Sequence, residues 1–281
     1  MYNEYWRLKE KPFENTPDPR FIYYSSKHEE ALSRMLYCIR EKKGAGMLTG
    51  DYGSGKTLLS RILLKELSAD RYCDVLIFNP VLSPLEFLRE IAYQLGRDNV
   101  PDNKVDIIHI LNGILYDNYS KGKDTVILID EAQAIVSDEV FEELRLILNF
   151  QLNNAFLLTL ILLGQPELAK KIGAIPQLTQ RVAIRYFLSG LDEAETYGYI
   201  RHRLEIAGRT EDAFNESALS LIFRASQGLP RVINNICDMS LLVGFGAKKN
   251  IIDELIVREV VRDMEDGQVK EVNSTPLHKL H

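Results

Sequence analysis

Residues 50–57 constrain this sequence more than any other stretch, because their pattern is typical of one kind of loop. Four residues separate Gly50 from Gly55, and Lys56 and Thr57 follow directly. This is the pattern of a phosphate-binding loop. Small residues let successive backbone N–H groups turn inward around a phosphate, because a Cβ atom would block the close approach. The predicted cradle consists of Gly50, Asp51, Tyr52, Gly53, Ser54, Gly55, Lys56 and Thr57.

The residues around the loop support this prediction. Met47 and Leu48 before it indicate the end of a strand, and apolar residues recur at helical spacing after it. We expect Lys56 to reach the β- and γ-phosphates as a point charge and Thr57 to offer its hydroxyl to Mg²⁺. The helix that follows would direct its positive N-terminal end at the same anion. The alternative interpretation is a flexible turn of glycine and serine.

The composition excludes several classes of protein. Of 281 residues, 46% are hydrophobic, so the chain can bury a substantial core. A net charge of −6 argues against a protein that coats nucleic acid, although it is compatible with a local basic patch. Cys38, Cys73 and Cys237 are far apart in sequence, which indicates buried thiols in a reducing compartment rather than a metal site. No apolar run approaches the roughly 18 residues of a membrane span. The N-terminus lacks a secretory signal, so we expect a cytoplasmic protein.

The pattern of the sequence divides the chain into four regions. Residues 1–26 are rich in aromatic residues and prolines, which predicts an extended segment packed on the core. In residues 27–190, apolar strands alternate with helices, and this order predicts a parallel sheet with helices on both faces. Residues 191–264 contain helical patterns without a strand and form a predicted all-helical domain. Residues 265–281 are polar without a period, which predicts a flexible tail.

The boundaries of the predicted elements follow from periodicity, caps and prolines. The predicted strands include residues 47–49, 75–78, 125–129, 156–163 and 183–188. The predicted helices cover residues 27–41, 58–67, 83–96, 104–120, 137–150, 192–207, 215–226, 230–244 and 253–264.

A second chemical element follows the apolar strand at residues 125–129. Asp130 and Glu131 stand at its carboxyl end, where ligands of open α/β sheets gather. Asp130 is the expected partner of the Mg²⁺ shell, and Glu131 is the candidate base that orients and deprotonates the attacking water. We expect this pair to meet the phosphate loop across adjacent strands. The alternative is that two acidic residues end a strand by accident.

Four further polar side chains are candidates for the same site. Gln165 follows the next strand and is placed to hold the water or the γ-phosphate, unless its amide only bonds its own backbone. Arg181 and Arg185 flank the last predicted strand. They are candidates to stabilise the negative charge that develops on the phosphates of a neighbouring subunit. The alternative for both is a solvated surface pair. Arg231 opens a helix of the helical domain, from which it would reach back over the phosphates.

At this point the sequence resembles a known family, the AAA+ ATPases of the general secretion pathway protein A (ExeA-type) group. The resemblance extends from the N-terminus to about residue 264. It rests on segments 11–13, 16–21, 48–57, 128–133, 164–168, 199–204 and 228–234. The pair Asp-Glu-Ala-Gln at 130–133 and Gly-Gln-Pro-Glu-Leu at 164–168 is the most specific after the phosphate loop.

The resemblance implies a P-loop NTPase fold of the AAA+ type, with a five-stranded parallel sheet, a C-terminal helical lid and ATP with Mg²⁺ at their junction. It implies that Gln165 acts as sensor 1 and Arg231 as sensor 2. It also implies an arginine finger acting in trans, for which Arg181 is the first choice and Arg185 the second. The N-terminal segment would help to wall the adenine pocket. Such proteins assemble as rings or partial rings and remodel a partner.

Three functions are consistent with these features. The first is ATP hydrolysis that drives assembly of a secretion, pilus or exopolysaccharide-export apparatus. Some longer relatives continue into a membrane span and a cell-wall-binding domain. Because no membrane span is predicted in this sequence, we expect it to reach the inner membrane through a partner protein. The second is a transposition regulator that oligomerises on DNA, with basic residues at Lys121, Lys123, Arg201, Arg203, Lys248 and Lys249. The third is a nucleotide-gated switch with negligible turnover.

Overall fold

The computed structural model describes residues 2–16, 18–152 and 155–273, with side chains to residue 266. The chain forms two units. One is Ser26–Ser189, and the other joins Met1–Ser25 to Gly190–His281. The N-terminal segment is therefore grouped with the C-terminal helices.

A parallel five-stranded sheet organises the unit Ser26–Ser189. Its strands are β1 (Ala45–Gly50), β2 (Tyr72–Ile77), β3 (Asp124–Ile129), β6 (Leu158–Gly164) and β7 (Val182–Leu188). They lie in the order β2-β3-β6-β1-β7, and every neighbouring pair is parallel. The predicted fold class is confirmed.

Helices connect the strands of this sheet. They are α1 (Ser26–Arg40), α2 (Lys56–Glu66), α3 (Pro84–Gln94), α4 (Lys104–Ser120), α5 (Asp138–Ile147), α6 (Pro166–Gly173) and α7 (Pro176–Arg181). The start of α3 shows why the sequence folds this way locally. Ser83 and Glu86 form a reciprocal capping box, and Pro84 occupies a first-turn position whose N–H has no intrahelical partner.

Apolar side chains are buried on both faces of the sheet. On one face, Met47 of β1 belongs to a cluster with Phe87 of α3 and Phe141 of α5. On the other face, Leu48 lines a small cavity together with Leu63 of α2. Because successive strand residues point to opposite faces, a strand buried on both sides is a continuous apolar run. Each large side chain buried in this way contributes about 1.5–3 kcal/mol.

Strand boundaries differ from the prediction in several places. The strand predicted at 75–78 is β2, which covers Tyr72–Ile77. The predicted strand at 156–163 begins at Leu158 instead, and Phe156 belongs to a short antiparallel hairpin. This hairpin pairs β4 (Gln151–Leu152) with β5 (Ala155–Phe156), and residues 153–154 between them lie outside the described residues. The apolar run continues through Phe156 and Leu157, so hydrophobicity alone did not mark the boundary.

The second unit is helical. It contains a short 3-10 turn at Pro19–Phe21 and the helices α8 (Glu193–Ile206), α9 (Glu216–Ser226), α10 (Pro230–Gly246) and α11 (Glu254–Asn273). The predicted tail at 265–281 begins within α11, and its residues 274–281 lie outside the described part of the chain. Among the described residues, no helix has both the length and the apolar character needed to cross a bilayer.

The N-terminal segment packs into the core of this helical unit. Trp6 and Phe13 are buried in the same cluster as Ile233 of α10 and Val257 of α11. The Trp6 indole N–H also donates to the carbonyl oxygen of Leu241 at 2.9 Å. The segment is rich in aromatic residues because these rings supply part of the apolar core that the four helices surround.

Two buried arginines hold the N-terminal segment through its backbone. Arg203 of α8 is only 6% exposed, and its guanidinium donates to the carbonyl oxygens of Pro12 and Glu14. Arg209 donates to the carbonyl oxygen of Trp6 at 2.9 Å. Because a guanidinium carries several donors in a fixed plane, one side chain can bind two carbonyl groups of the same segment.

Candidate active site

The loop between β1 and α2 has the backbone that its glycines predict. Gly53 and Gly55 adopt φ angles of 83° and 102°, in the region that side chains rarely enter. A Cβ atom on Gly50 would lie 2.5 Å from the carbonyl oxygen of Leu188 in β7. Larger residues at these positions would therefore strain the loop or displace the neighbouring strand.

Lys56 is the first residue of α2, and its ammonium group lies inside the loop. Nζ donates to the carbonyl oxygens of Gly50 at 2.7 Å and Asp51 at 2.9 Å. The residue is only 5% exposed. Burial lowers the pKa of Lys56, while the nearby charges of Glu131 and Asp130 oppose that shift. The acidic pair and the loop lysine thus share one electrostatic environment.

Asp130 follows β3 and faces the start of α2. The residue is only 1% exposed. Burial raises the pKa of Asp130, and the Thr57 hydroxyl and the positive charge of Lys56 act in the opposite direction. The geometry brings together the two side chains predicted to hold Mg²⁺.

The expectation that the loop and the acidic pair end adjacent strands is wrong. β6 lies between β1 and β3 in the sheet. The carboxyl ends of all three strands lie on the same side of the sheet. The end of β6 is therefore between the phosphate loop and Asp130. Gln165, which caps α6, follows β6 and stands in this central position.

Glu131 has an unusual backbone and a side chain bound by a neighbour. Its φ angle of 52° is in the left-handed region, and its N–H donates to the Asp130 carboxylate at 2.9 Å. The Gln133 amide donates to the Glu131 carboxylate and accepts from the Gln165 N–H at 3.0 Å. Gln133 was not among the predicted site residues. Its only signal was its place in the Asp-Glu-Ala-Gln segment.

A second residue of the site was missed. His28, in the first turn of α1, is buried and places Nε2 3.1 Å from the carbonyl oxygen of Ser54. Because a carbonyl oxygen only accepts, Nε2 is the protonated nitrogen in this contact. A Cβ atom on Gly55 would lie 2.9 Å from the same nitrogen. Nothing in the sequence around His28 indicated this contact with a distant loop.

Two of the three predicted arginines, Arg181 and Arg185, lie away from the phosphate loop of their own chain. Arg181 ends α7 just before β7 and donates to Asn149 at 2.7 Å, and Arg185 within β7 donates to the carbonyl oxygen of Thr179. The first residues of β7 pair with the start of β1. Arg181 therefore lies at the amino-terminal end of the strands, and the phosphate loop lies at their carboxyl end. Arg231 is the second residue of α10 in the helical unit.

The donor set of the site fits a magnesium nucleotide. A hydroxyl from Thr57 and a carboxylate from Asp130 are hard oxygen ligands, and Mg²⁺ typically uses one or two such groups together with phosphates and water. Within the described residues, no group of three or more His, Cys, Asp or Glu side chains forms a separate metal cage. The buried Ser54 hydroxyl has no hydrogen-bond partner among those residues, which leaves it available to a phosphate oxygen.

Several basic residues considered for DNA contact are engaged within the chain. Arg203 is wrong as a candidate, because its buried guanidinium binds the N-terminal backbone. Lys123 donates to the carbonyl oxygen of Ala69 at 2.8 Å. Lys249 pairs with Asp253 at 2.9 Å. The Asp253 carboxylate offsets the charge of Lys249, and burial removes Arg203 from the surface, so a continuous basic surface loses two of its six predicted members.

Comparisons with known proteins agree with this arrangement. A protein-family profile described as an AAA domain matches residues 39–172. General secretion pathway protein A of Aeromonas hydrophila is 36% identical over 249 residues, which cover 87% of this chain and 45% of that protein. The chain therefore spans less than half the length of this relative.

Solved structures share the fold. The ORC2 protein of Aeropyrum pernix superimposes with a TM-score of 0.65 at 18% identity, covering 90% of this chain and 71% of that one. A chain of Drosophila ORC, solved bound to DNA, gives a TM-score of 0.70 at 17% identity, covering 99% and 70%. By its fold and its sequence, the chain belongs to the general secretion pathway protein A (ExeA-type) family of AAA+ proteins.

Proposed function

We propose that the chain hydrolyses ATP with Mg²⁺ and uses the cycle to assemble or remodel a protein apparatus of the cell envelope. The observation that carries the hydrolytic part is the burial of Asp130 and Lys56 together, where the Thr57 hydroxyl and the Lys56 charge both lower the pKa of the Asp130 carboxyl. These groups come from two separate motifs, and their meeting at one sheet edge supports a single magnesium nucleotide site.

Each side chain has a role in this proposal. The loop N–H groups and Lys56 bind the phosphates, and Thr57 and Asp130 hold Mg²⁺, which neutralises charge that develops on the phosphate oxygens. Glu131 orients the attacking water and accepts its proton. Gln165 contacts the water or the γ-phosphate. Arg231 of the helical unit would act on the same phosphates as sensor 2.

The hydrolytic proposal is tested with Glu131→Gln, which keeps the shape of the side chain and removes the base. We expect ATP binding to persist and kcat to fall by about 10²–10⁴-fold. Glu139→Gln, at an exposed position in the first turn of α5, is the matched control. Equal turnover by the wild-type protein and Glu131→Gln would remove Glu131 as the base. Single-turnover assays separate hydrolysis from a switch that only binds.

The cellular part of the proposal rests on the relative named general secretion pathway protein A. We infer that the chain works as a nucleotide-dependent homo-oligomer and acts on a protein of a secretion, pilus or exopolysaccharide-export machine. Complementation of a deletion strain with the wild-type gene or with Glu131→Gln tests this inference. We expect only the wild-type gene to restore the envelope function. DNA binding with a steep salt dependence would favour the transposition regulator instead.

A further inference from the structure

The Gln133 side chain links two parts of the proposed site. Its Nε2 donates to the Glu131 carboxylate, and its Oε1 accepts from the backbone N–H of Gln165 at 3.0 Å. The orientation of this amide follows from its partners. A backbone N–H can only donate and an ionised carboxylate can only accept, so only one orientation of the amide satisfies both.

The surroundings of Gln133 are shaped to hold it. A Cβ atom on Gly164 would lie 2.6 Å from Gln133 Oε1, so a larger residue before Gln165 would push the amide away. Lys171 of α6 donates to the backbone carbonyl oxygens of Gln133 and Ile135, both at 2.7 Å. The segment after Glu131 is therefore fastened to α6 by its backbone as well as by the Gln133 amide.

We infer that Gln133 is a positioning residue that holds the Glu131 carboxylate and couples it to the backbone at the end of β6. This inference rests on the proposed function of Glu131 as the base. Glu131 follows a strand and has a left-handed backbone, so its own chain leaves the side chain several orientations. The Gln133 hydrogen bond selects one of them. Any displacement of the Gln165 backbone moves the Gln133 amide and with it the Glu131 carboxylate.

Two variants separate the two halves of this link. Gln133→Met has a similar length and neither hydrogen bond. Gln133→Glu is isosteric, and it can still accept from the Gln165 N–H but cannot donate to Glu131. Gln177→Met, at an exposed position on α7, is the matched control.

The measurements are kcat, the Kd for a slowly hydrolysed ATP analogue, and hydrogen exchange of the Gln165 amide. We expect both Gln133 variants to lose about 10- to 100-fold in kcat with little change in Kd, because misplacing a catalytic group affects turnover more than binding. Exchange at Gln165 should accelerate in Gln133→Met and stay slow in Gln133→Glu. A purely structural role would change stability and Kd together with kcat.

The result that would overturn the inference is wild-type kcat in both Gln133 variants while Glu131→Gln is inactive. That outcome leaves the proposed function intact. If Glu131→Gln and the wild-type protein turn over ATP equally, the proposed function fails and this inference fails with it. If Gln133→Met does not fold, the kcat of the isosteric Gln133→Glu variant tests the inference alone, because that variant preserves the contact with Gln165.

Discussion

The Thr57 hydroxyl at the start of α2 lowers the pKa of the Asp130 carboxyl at the end of β3, against the rise that burial causes. Both groups are oxygen ligands suited to Mg²⁺. We predict that Thr57→Val, which keeps the shape of the side chain and removes the hydroxyl, lowers kcat/KM for ATP by about 100-fold or more, because a bound metal ion supplies several kcal/mol of charge stabilisation. The measurement is ATP turnover as a function of Mg²⁺ concentration.

The control for this prediction is Thr210→Val at an exposed position of the helical unit. The variant Thr57→Val should require more Mg²⁺ for half-maximal turnover, whereas Thr210→Val should behave as the wild-type protein does. An unchanged Mg²⁺ requirement in Thr57→Val would exclude Thr57 from the metal shell.

His28 supports the phosphate loop from α1 through its contact with the Ser54 carbonyl oxygen. We predict that His28→Ala weakens ATP binding by up to about 10-fold, because one hydrogen bond contributes about 0.5–1.5 kcal/mol. His28→Gln should recover most of the affinity, since its amide nitrogen can donate from nearly the same place. Isothermal titration with an ATP analogue measures both. His109→Ala, at an exposed position on α4, is the control, and a His28→Ala protein with wild-type affinity would contradict the prediction.

Local pattern was enough to predict much of the fold and part of the site. The loop at 50–57, Asp130, Glu131 and Gln165 each follow an apolar strand directly, and parallel strands bring such positions to one edge. The order of the strands was not predictable, because no local pattern specifies which strand lies beside β1. The position of β6 between β1 and β3 depends on how the connecting helices cover the sheet.

The residues that were missed make contacts set by tertiary packing. His28 touches a loop that is remote in sequence, and Gln133 accepts from the backbone N–H of Gln165, which follows another strand. Arg203 was named among the basic residues of the DNA-binding alternative, which requires an exposed side chain. Its burial depends on the N-terminal segment, whose carbonyl groups it binds. Neither periodicity nor spacing contains information about such partners.

Arg203 provides a test of how firmly the N-terminal segment is held. We predict that Arg203→Met lowers the free energy of unfolding by on the order of 3 kcal/mol, because it leaves the buried carbonyl group of Pro12 and the partly buried carbonyl group of Glu14 without this donor. Trypsin should then cleave the segment faster. The control is Arg201→Met on the same helix, whose pair with Asp212 is 64% exposed at both side chains and should contribute less than about 1 kcal/mol. Equal stability of the two variants would contradict the prediction.

Arg181 lies at the amino-terminal end of the parallel strands, whereas its own phosphate loop lies at their carboxyl end. It can therefore act on phosphates only in a neighbouring subunit. We predict that Arg181→Ala alone loses about 10³-fold in kcat. Lys56→Ala alone should be inactive because it cannot hold the phosphates. A mixture of the two should regain turnover, since the intact loop of one subunit meets the intact Arg181 of the other. Arg185→Ala in place of Arg181→Ala is the matched comparison. If neither mixture regains activity while the oligomers form, both arginines are excluded as the trans finger.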